Sequence, residues 1–153
     1  MGRFAEGLHW VVVTLWVGTL WAVGLLVAPT LFHYLSDRVV AGSIAGRLFN
    51  YTALIGMACG AYLLLFRLIR FGGQALRQAF FWVSLAMLCL TLIGQFGVQP
   101  ILEALRAQAW PKQIAETVLR ERFATWHGVA SVLYVIDCAL GLVLVLLQPR
   151  APH

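Results

Sequence analysis

Four long runs of apolar residues constrain the fold of this chain more than any other feature. They cover approximately residues 8–31, 44–66, 79–98 and 123–147. A helix needs about 20 apolar residues to cross the hydrocarbon core of a bilayer, and each run is that long. Hydrophobic residues make up 61% of the chain and charged residues only 11%, whereas soluble domains carry about 25% charged residues. The sequence therefore predicts an all-α integral membrane four-helix bundle, with residues 1–153 forming a single domain.

Proline, glycine and charge indicate how these helices are connected. Pro29 is expected to end the first helix, and RLIRFGGQALRQ predicts a tight connection between the second and third. The charged stretch before the fourth run predicts a loop with a short surface helix broken at Pro111. Pairs of small residues four apart predict faces on which helices approach closely: Gly56 with Gly60, Gly42 with Gly46, Gly18 with Ala22, and Gly24 with Ala28.

The basic residues lie between the apolar runs, which points to membrane orientation and not to nucleic acid. Five lie on the side of the termini: Arg3, Arg67, Arg70, Arg77 and Arg150. Six lie opposite: Arg38, Arg47, Arg106, Lys112, Arg120 and Arg122. The 67–77 loop is short and free of acidic residues, whereas most of the opposite residues share one longer loop with glutamates. We therefore expect both termini to be cytoplasmic, in a bacterial inner membrane. The expected partners are the lipid bilayer and either other membrane subunits or further copies of the chain.

Two histidines bracket the first apolar run. His9 and His33 are about 36 Å apart if the chain between them is helical, so they belong to opposite faces of the membrane. His127 opens the fourth helix on the side where the first helix ends. His33 and His127 therefore share one interface, and we expect His33 to be the more exposed.

The fourth helix carries a polar stripe. His127, Ser131, Tyr134 and Cys138 have the spacing i, i+4, i+7 and i+11, which places them on one face, and Asp137 lies beside them. The third helix repeats part of this spacing with Ser84, Thr91 and Gln95. We predict a polar seam inside the bundle, formed by His127, Ser131, Tyr134, Asp137, Gln95, Gln99 and Asn50.

These residues also have purely structural interpretations. Interfacial histidines are often solvated anchors, and hydroxyl side chains commonly hold membrane helices together. Asp137 is different, because a carboxylate near midspan costs about 2.5–3.5 kcal/mol unless it is paired or neutral. The sequence contains no nucleophile–base set, phosphate-binding loop, HExxH or CxxCH motif. We therefore expect a protein that is not an enzyme, with no catalytic residues and with metal ligands unknown.

Several stretches resemble a known family. WVGTLWAVGLLVAPTLF, AGRLFNY and ERFATWHGVASVLYVID resemble the four-span family of unknown function related to transmembrane protein 205. Its pattern includes a histidine near the start of the first span, a leucine–phenylalanine pair and a motif that opens the last span. His9, Leu48–Phe49 and Phe123–Gly128 match it, and Tyr134 replaces an asparagine often seen there. The resemblance covers essentially the whole chain and implies a four-span fold without a settled activity.

The first helix also resembles a more distant group. H-x(6)-W-x-G-x(10)-P-x-x-F, here from His9 to Phe32, is similar to copper-resistance-D-like proteins and haem-binding protoporphyrinogen oxidases. That resemblance implies that His9 binds a cofactor, either haem b or copper. The leading hypothesis remains a non-enzymatic small carrier, or an accessory subunit of a membrane complex, with no cofactor. The alternative is a haem- or metal-binding protein, either a redox enzyme or a copper transporter, that uses His9.

Overall fold

The computed structural model describes residues 3–108 and 116–148, and the regular elements of these ranges are all helical. The first membrane helix comprises α1 (Arg3–Trp21), a π-helical segment (Ala22–Val27) and α2 (Ala28–Tyr34). The second is α3 (Arg38–Phe71), which a 3-10 turn (Gly72–Arg77) connects to the third. The third comprises α4 (Ala79–Leu92), a second π-helical segment (Ile93–Val98) and α5 (Gln99–Gln108), and the fourth is α6 (Glu116–Leu146).

Each of the four helices is long and apolar enough to cross a membrane. The qualifying segments are Ala5–Tyr34, Val40–Arg77, Ala79–Ala107 and Leu119–Leu146. The prediction of an all-α four-helix membrane bundle is confirmed, and the chain is an integral membrane protein. The helices extend beyond the predicted apolar runs because hydrophobicity marks only the part of a helix that lies in hydrocarbon.

The four membrane helices form a ring in chain order. Each packs against the next, and the fourth closes the ring against the first. Arg70 at the end of α3 forms a 2.8 Å ion pair with Glu6 near the start of α1, so these two ends lie together. We call this the terminal end of the bundle and the opposite end the far end. The turn at the terminal end begins at Gly72, whose φ of 53° favours glycine over other residues.

The prediction that Pro29 ends the first helix is wrong. The chain stays helical to Tyr34 because a π-helical segment precedes the proline, and the Ala28 N–H donates to the Val23 carbonyl. The third helix repeats this arrangement, with a π-helical segment that ends two residues before Pro100. Proline has no N–H to donate, and a wider turn re-pairs the backbone groups around it inside a membrane. The first and third membrane helices, which lie on opposite sides of the ring, therefore both contain a π-helical segment before a proline.

The half of the bundle nearest the terminal end is tightly packed. Its buried core contains Val13, Trp16, Leu20, Leu63, Met87 and Leu144. Trp16 lies against Gly56 and Gly60, where an added Cβ would stand 2.7 Å and 2.9 Å from the indole. Gly56 and Gly60 thus provide space for a large side chain of the first helix, and close contact between helix backbones at this pair stays a prediction.

The other small-residue pairs behave differently. A Cβ at Gly18 or Gly42 would meet no atom of the described residues within 4 Å, so the packing faces predicted there do not appear in this part of the chain. A Cβ at Gly24 would clash with the Tyr134 ring, and one at Gly46 would lie 3.0 Å from an Arg106 nitrogen. Both of these glycines therefore accommodate a specific large side chain from another helix.

The connection before the fourth helix is more helical than the sequence predicts. The third helix continues without a break into α5, and α6 begins at Glu116, before the apolar run. Pro111, at which the expected surface helix would break, lies outside the described residues. Glu103 and Arg106 on α5 therefore belong to the continuous third membrane helix.

Candidate functional site

The far half of the bundle contains a cavity of about 1200 Å³. All four membrane helices line it, and its depth runs from buried Asp137 to exposed Arg120 along the fourth helix. Its walls are mainly apolar or small, and they include Gly24 and Gly94 from the two π-helical segments. The bundle is thus filled with side chains at the terminal end and hollow at the far end.

Asp137 lies at the floor of this cavity and is only 4% exposed. The Thr91 hydroxyl on the third helix lies 3.1 Å from one carboxyl oxygen, Oδ2, and 2.9 Å from the Met87 carbonyl oxygen of its own helix, so these two acceptors compete for its single proton. The other oxygen, Oδ1, is buried and has no hydrogen-bond partner among the described residues. Asp137 also forms no ion pair with a described residue. Asp137 borders the cavity, and its unpartnered Oδ1 is able to bind a hydrogen-bond donor or a cation if the atoms that cover it move.

Tyr134 connects the cavity floor to the first helix. Its hydroxyl donates a 2.6 Å hydrogen bond to the Leu20 carbonyl. In a regular α-helix, the Gly24 N–H would bond to the Leu20 carbonyl directly. Here the Leu20 carbonyl accepts from the Tyr134 hydroxyl, just before the π-helical segment begins at Ala22. Trp21 adds a second link between these helices, because its indole N–H donates to the Cys138 carbonyl at 3.2 Å.

A further polar link joins the second and third helices. The Gln95 side-chain amide donates a 2.6 Å hydrogen bond to Asn50 Oδ1. Together with the Thr91–Asp137 and Tyr134–Leu20 bonds, this link completes a polar belt that connects all four helices around the cavity. The belt lies inside the bundle, where its hydrogen-bonding groups pair with one another and are not exposed to lipid.

The remaining residues of the predicted seam lie nearer the mouth. Gln99, Ser131 and His127 line the cavity, and the His127 ring stacks on Phe123 at a centroid distance of 5.9 Å. The Ser131 hydroxyl donates to the His127 carbonyl of its own helix. His33 is exposed, and its ring contacts Tyr34. The structure thus brings Gln95 to Asn50, whereas His127 and Asp137 stand about 15 Å apart along the helix.

A second buried polar cluster lies at the terminal end. The His9 ring lies between Phe66 and Phe80, with ring centroids 5.4 Å and 5.2 Å away. The Arg67 guanidinium lies 4.1 Å from the centroid of Phe80 and donates to the Gln78 side chain at 2.7 Å. Neither nitrogen of His9 has a hydrogen-bond partner among the described residues. His9 does not line the large cavity, so the chain has two separate polar regions.

The surroundings of His9 fit a haem poorly. Two phenylalanine rings pack beside the imidazole and both of its nitrogens are buried, so a haem would reach either nitrogen only if surrounding side chains moved. Within the described residues, no group of three histidine, cysteine, aspartate or glutamate side chains is arranged to hold a metal ion. Binding of haem b or copper at His9 stays a prediction.

Sequence reasoning missed two features of these sites. Thr91 was recognised only as part of a stripe, although it is the direct partner of Asp137. Arg67 was treated as a loop charge, yet it is 8% exposed and packed among aromatic rings. For Thr91, the sequence signal was its helical spacing from Gln95, because both side chains form hydrogen bonds to neighbouring helices. The apolar LLLFRLI context of Arg67 was the signal for the second.

Comparison with known proteins places most of this chain in a family. No curated protein and no solved structure matches it. A family model described as a domain of unknown function (DUF4149) matches residues 11–111. The match contains almost all of the first three membrane helices and excludes both His9 and the fourth helix, which supplies Asp137 and Tyr134. The chain belongs to this family of unknown function, DUF4149.

Proposed function

We propose that this protein is a small membrane carrier that holds an amphipathic small molecule in the cavity of its far half. The observation that carries the proposal is the buried Asp137 carboxyl group, with one unpartnered oxygen, at the floor of a cavity with mainly apolar walls. Apolar walls hold the body of a ligand, and a few fixed polar groups orient it. A volume of about 1200 Å³ is somewhat larger than the roughly 300–1,000 Å³ of usual small-molecule sites.

The distribution of polar groups supports a binding role over a packing role. Most hydroxyl groups in the bundle bond to their own helix, as Ser84 does to the Phe80 carbonyl. The Asp137 Oδ1 atom has no such partner, although leaving a buried acceptor unpaired costs about 1–3 kcal/mol. A ligand that donates to this oxygen would recover that free energy.

Two glycine positions provide a matched test. A side chain added at Gly94 would enter the cavity one turn from Thr91, and a Cβ there meets no atom within 4 Å. Gly18 has the same free space around its Cβ, but it is exposed outside the cavity. We expect Gly94→Trp to fold and to lose a bound molecule that the parent protein and Gly18→Trp retain. Mass spectrometry of protein purified in mild detergent measures this, and equal retention by both variants would contradict the carrier proposal.

One observation favours a second candidate, a haem- or metal-binding protein. His9 is 7% exposed and has two unpartnered ring nitrogens, and either nitrogen could serve as a ligand atom if the covering rings moved. A Soret absorption band in the purified protein that disappears in His9→Ala would support haem. Metal analysis of protein without a histidine tag tests copper in the same way.

Location and partners complete the proposal. We place the protein in a bacterial inner membrane with cytoplasmic termini, so that the cavity opens toward the opposite side. Apolar side chains cover the outside of every membrane helix, including Leu26, Tyr51, Phe96 and Val135, so the surface suits lipid or other membrane subunits. An accessory role in a larger complex would appear as a stoichiometric partner after purification in mild detergent.

A further inference from the structure

We propose that the ligand of the cavity is a lipophilic monocation, an amine or onium group attached to an apolar body. This inference rests on the carrier proposal and specifies the chemistry of the same site. The juxtaposition that carries it is a buried carboxyl group without a cationic partner, next to an aromatic pair that faces the same cavity.

The charge balance at the floor favours a cation. Asp137 is the one acidic side chain among those that line the cavity, and it forms no ion pair with a described residue. An isolated carboxylate is costly in a medium of low dielectric constant, and a cation placed beside it offsets that cost. Thr91 contacts only Oδ2, so Oδ1 is the carboxyl oxygen without a polar partner among the described residues, and a cation would meet it once the atoms that cover it move aside.

The aromatic rings beside Asp137 supply a second attraction for a cation. Phe49 and Tyr134 line the cavity and meet edge to face, with ring centroids 5.0 Å apart. The Tyr134 hydroxyl donates to the Leu20 carbonyl, so Tyr134 presents its aromatic ring to the cavity and not its hydroxyl. Cations bind favourably over aromatic faces, and most strongly where water is excluded.

The arginines at the mouth do not reverse this preference. Arg106 and Arg120 line the outer part of the cavity and are exposed, so solvent and headgroups screen their charges. Arg120 precedes Asp137 by seventeen residues, which corresponds to about 25 Å along the helix. Arg106 already contacts an aromatic ring, because its guanidinium lies 5.5 Å from the centroid of Phe123. Asp137 at the floor of the cavity therefore determines the charge of the ligand group that binds deepest.

Two probes of the same shape and opposite charge test the proposal. Tetraphenylphosphonium and tetraphenylborate are each equilibrated with protein in nanodiscs of zwitterionic lipid, and empty nanodiscs supply the partition background. We expect saturable binding of tetraphenylphosphonium alone. Asp137→Asn should weaken it about tenfold to a hundredfold, the effect of losing one charge-assisted contact. Gly18→Trp should bind like the parent protein, and Gly94→Trp should not bind.

The possible outcomes separate this inference from the carrier proposal. Saturable binding of tetraphenylborate that Arg106→Gln weakens would overturn the cation assignment and leave a carrier of anions. Binding of neither probe, while Gly94→Trp still loses a co-purified molecule, would overturn it in favour of an uncharged ligand. Equal binding of tetraphenylphosphonium by the parent protein and a folded Asp137→Asn variant would show that the carboxyl group does not recognise the charge.

Discussion

Gly56→Ala should destabilise the bundle, because its Cβ would meet the buried indole of Trp16. The added atom would stand 2.7 Å from the indole nitrogen, whereas uncrowded contacts between heavy atoms are about 3.5–4.0 Å. Trp16 is 1% exposed, so the ring has no free space into which it can move. Overpacking of this kind costs about 1–3 kcal/mol, and replacement of glycine by alanine returns about 0.4–1 kcal/mol. We expect a net loss of about 1–2 kcal/mol in the free energy of unfolding.

Equilibrium unfolding in mixed micelles, followed by circular dichroism, measures this loss. Gly18→Ala is the matched control, since the exposed Gly18 has no neighbour within 4 Å of its Cβ and gains only the backbone term. Trp16→Phe removes the contacting nitrogen, so the Gly56→Ala penalty should fall by at least about 0.5 kcal/mol in that background. Equal stability of Gly56→Ala and Gly18→Ala would show that the indole does not occupy this groove.

Three further predictions concern topology, the polar belt and the floor of the cavity. With the native cysteines replaced, Ser36→Cys and Gly73→Cys should react with an impermeant thiol reagent from opposite sides of the membrane; labelling of both from one side would contradict the four-span arrangement. Tyr134→Phe should lower the free energy of unfolding by about 1–3 kcal/mol, because the backbone groups that its hydroxyl pairs, including the Leu20 carbonyl, lose their partner; an unchanged unfolding curve would show that the helix closes its own ladder. Asp137→Asn should fold like the parent protein, whereas Asp137→Leu should unfold more readily because it leaves the Thr91 hydroxyl without its partner on the fourth helix; a fully stable Asp137→Leu would indicate that the Thr91 bond contributes little.

The sequence predicted the helices well because the bilayer imposes one length and one composition on each span. It also predicted that Tyr134 and Asp137 face the interior, since helical spacing alone places them on adjoining faces. It did not predict the cavity, because a cavity forms where side chains of the four helices do not contact one another, and the sequence does not show those contacts. Nor did it indicate that Thr91 bonds to Asp137, because the two lie 46 residues apart in the chain. The error at Pro29 arose because a π-helical segment re-pairs the backbone before the proline, as the bond from the Ala28 N–H to the Val23 carbonyl shows, and the pattern of apolar residues does not reveal such a shift.

The packed terminal half of the bundle closes the cavity at its base. A cavity closed at its base exchanges its ligand through the openings of the far half, which include the exposed outer surface at Val135. Movement of a ligand past the base would require Trp16 to leave the groove at Gly56 and Gly60, which would separate the first and second helices. By itself, then, such a chain would store or present a molecule at one leaflet. Transfer of the ligand to the other leaflet would need a second protein, or an input of free energy that disrupts the packed core.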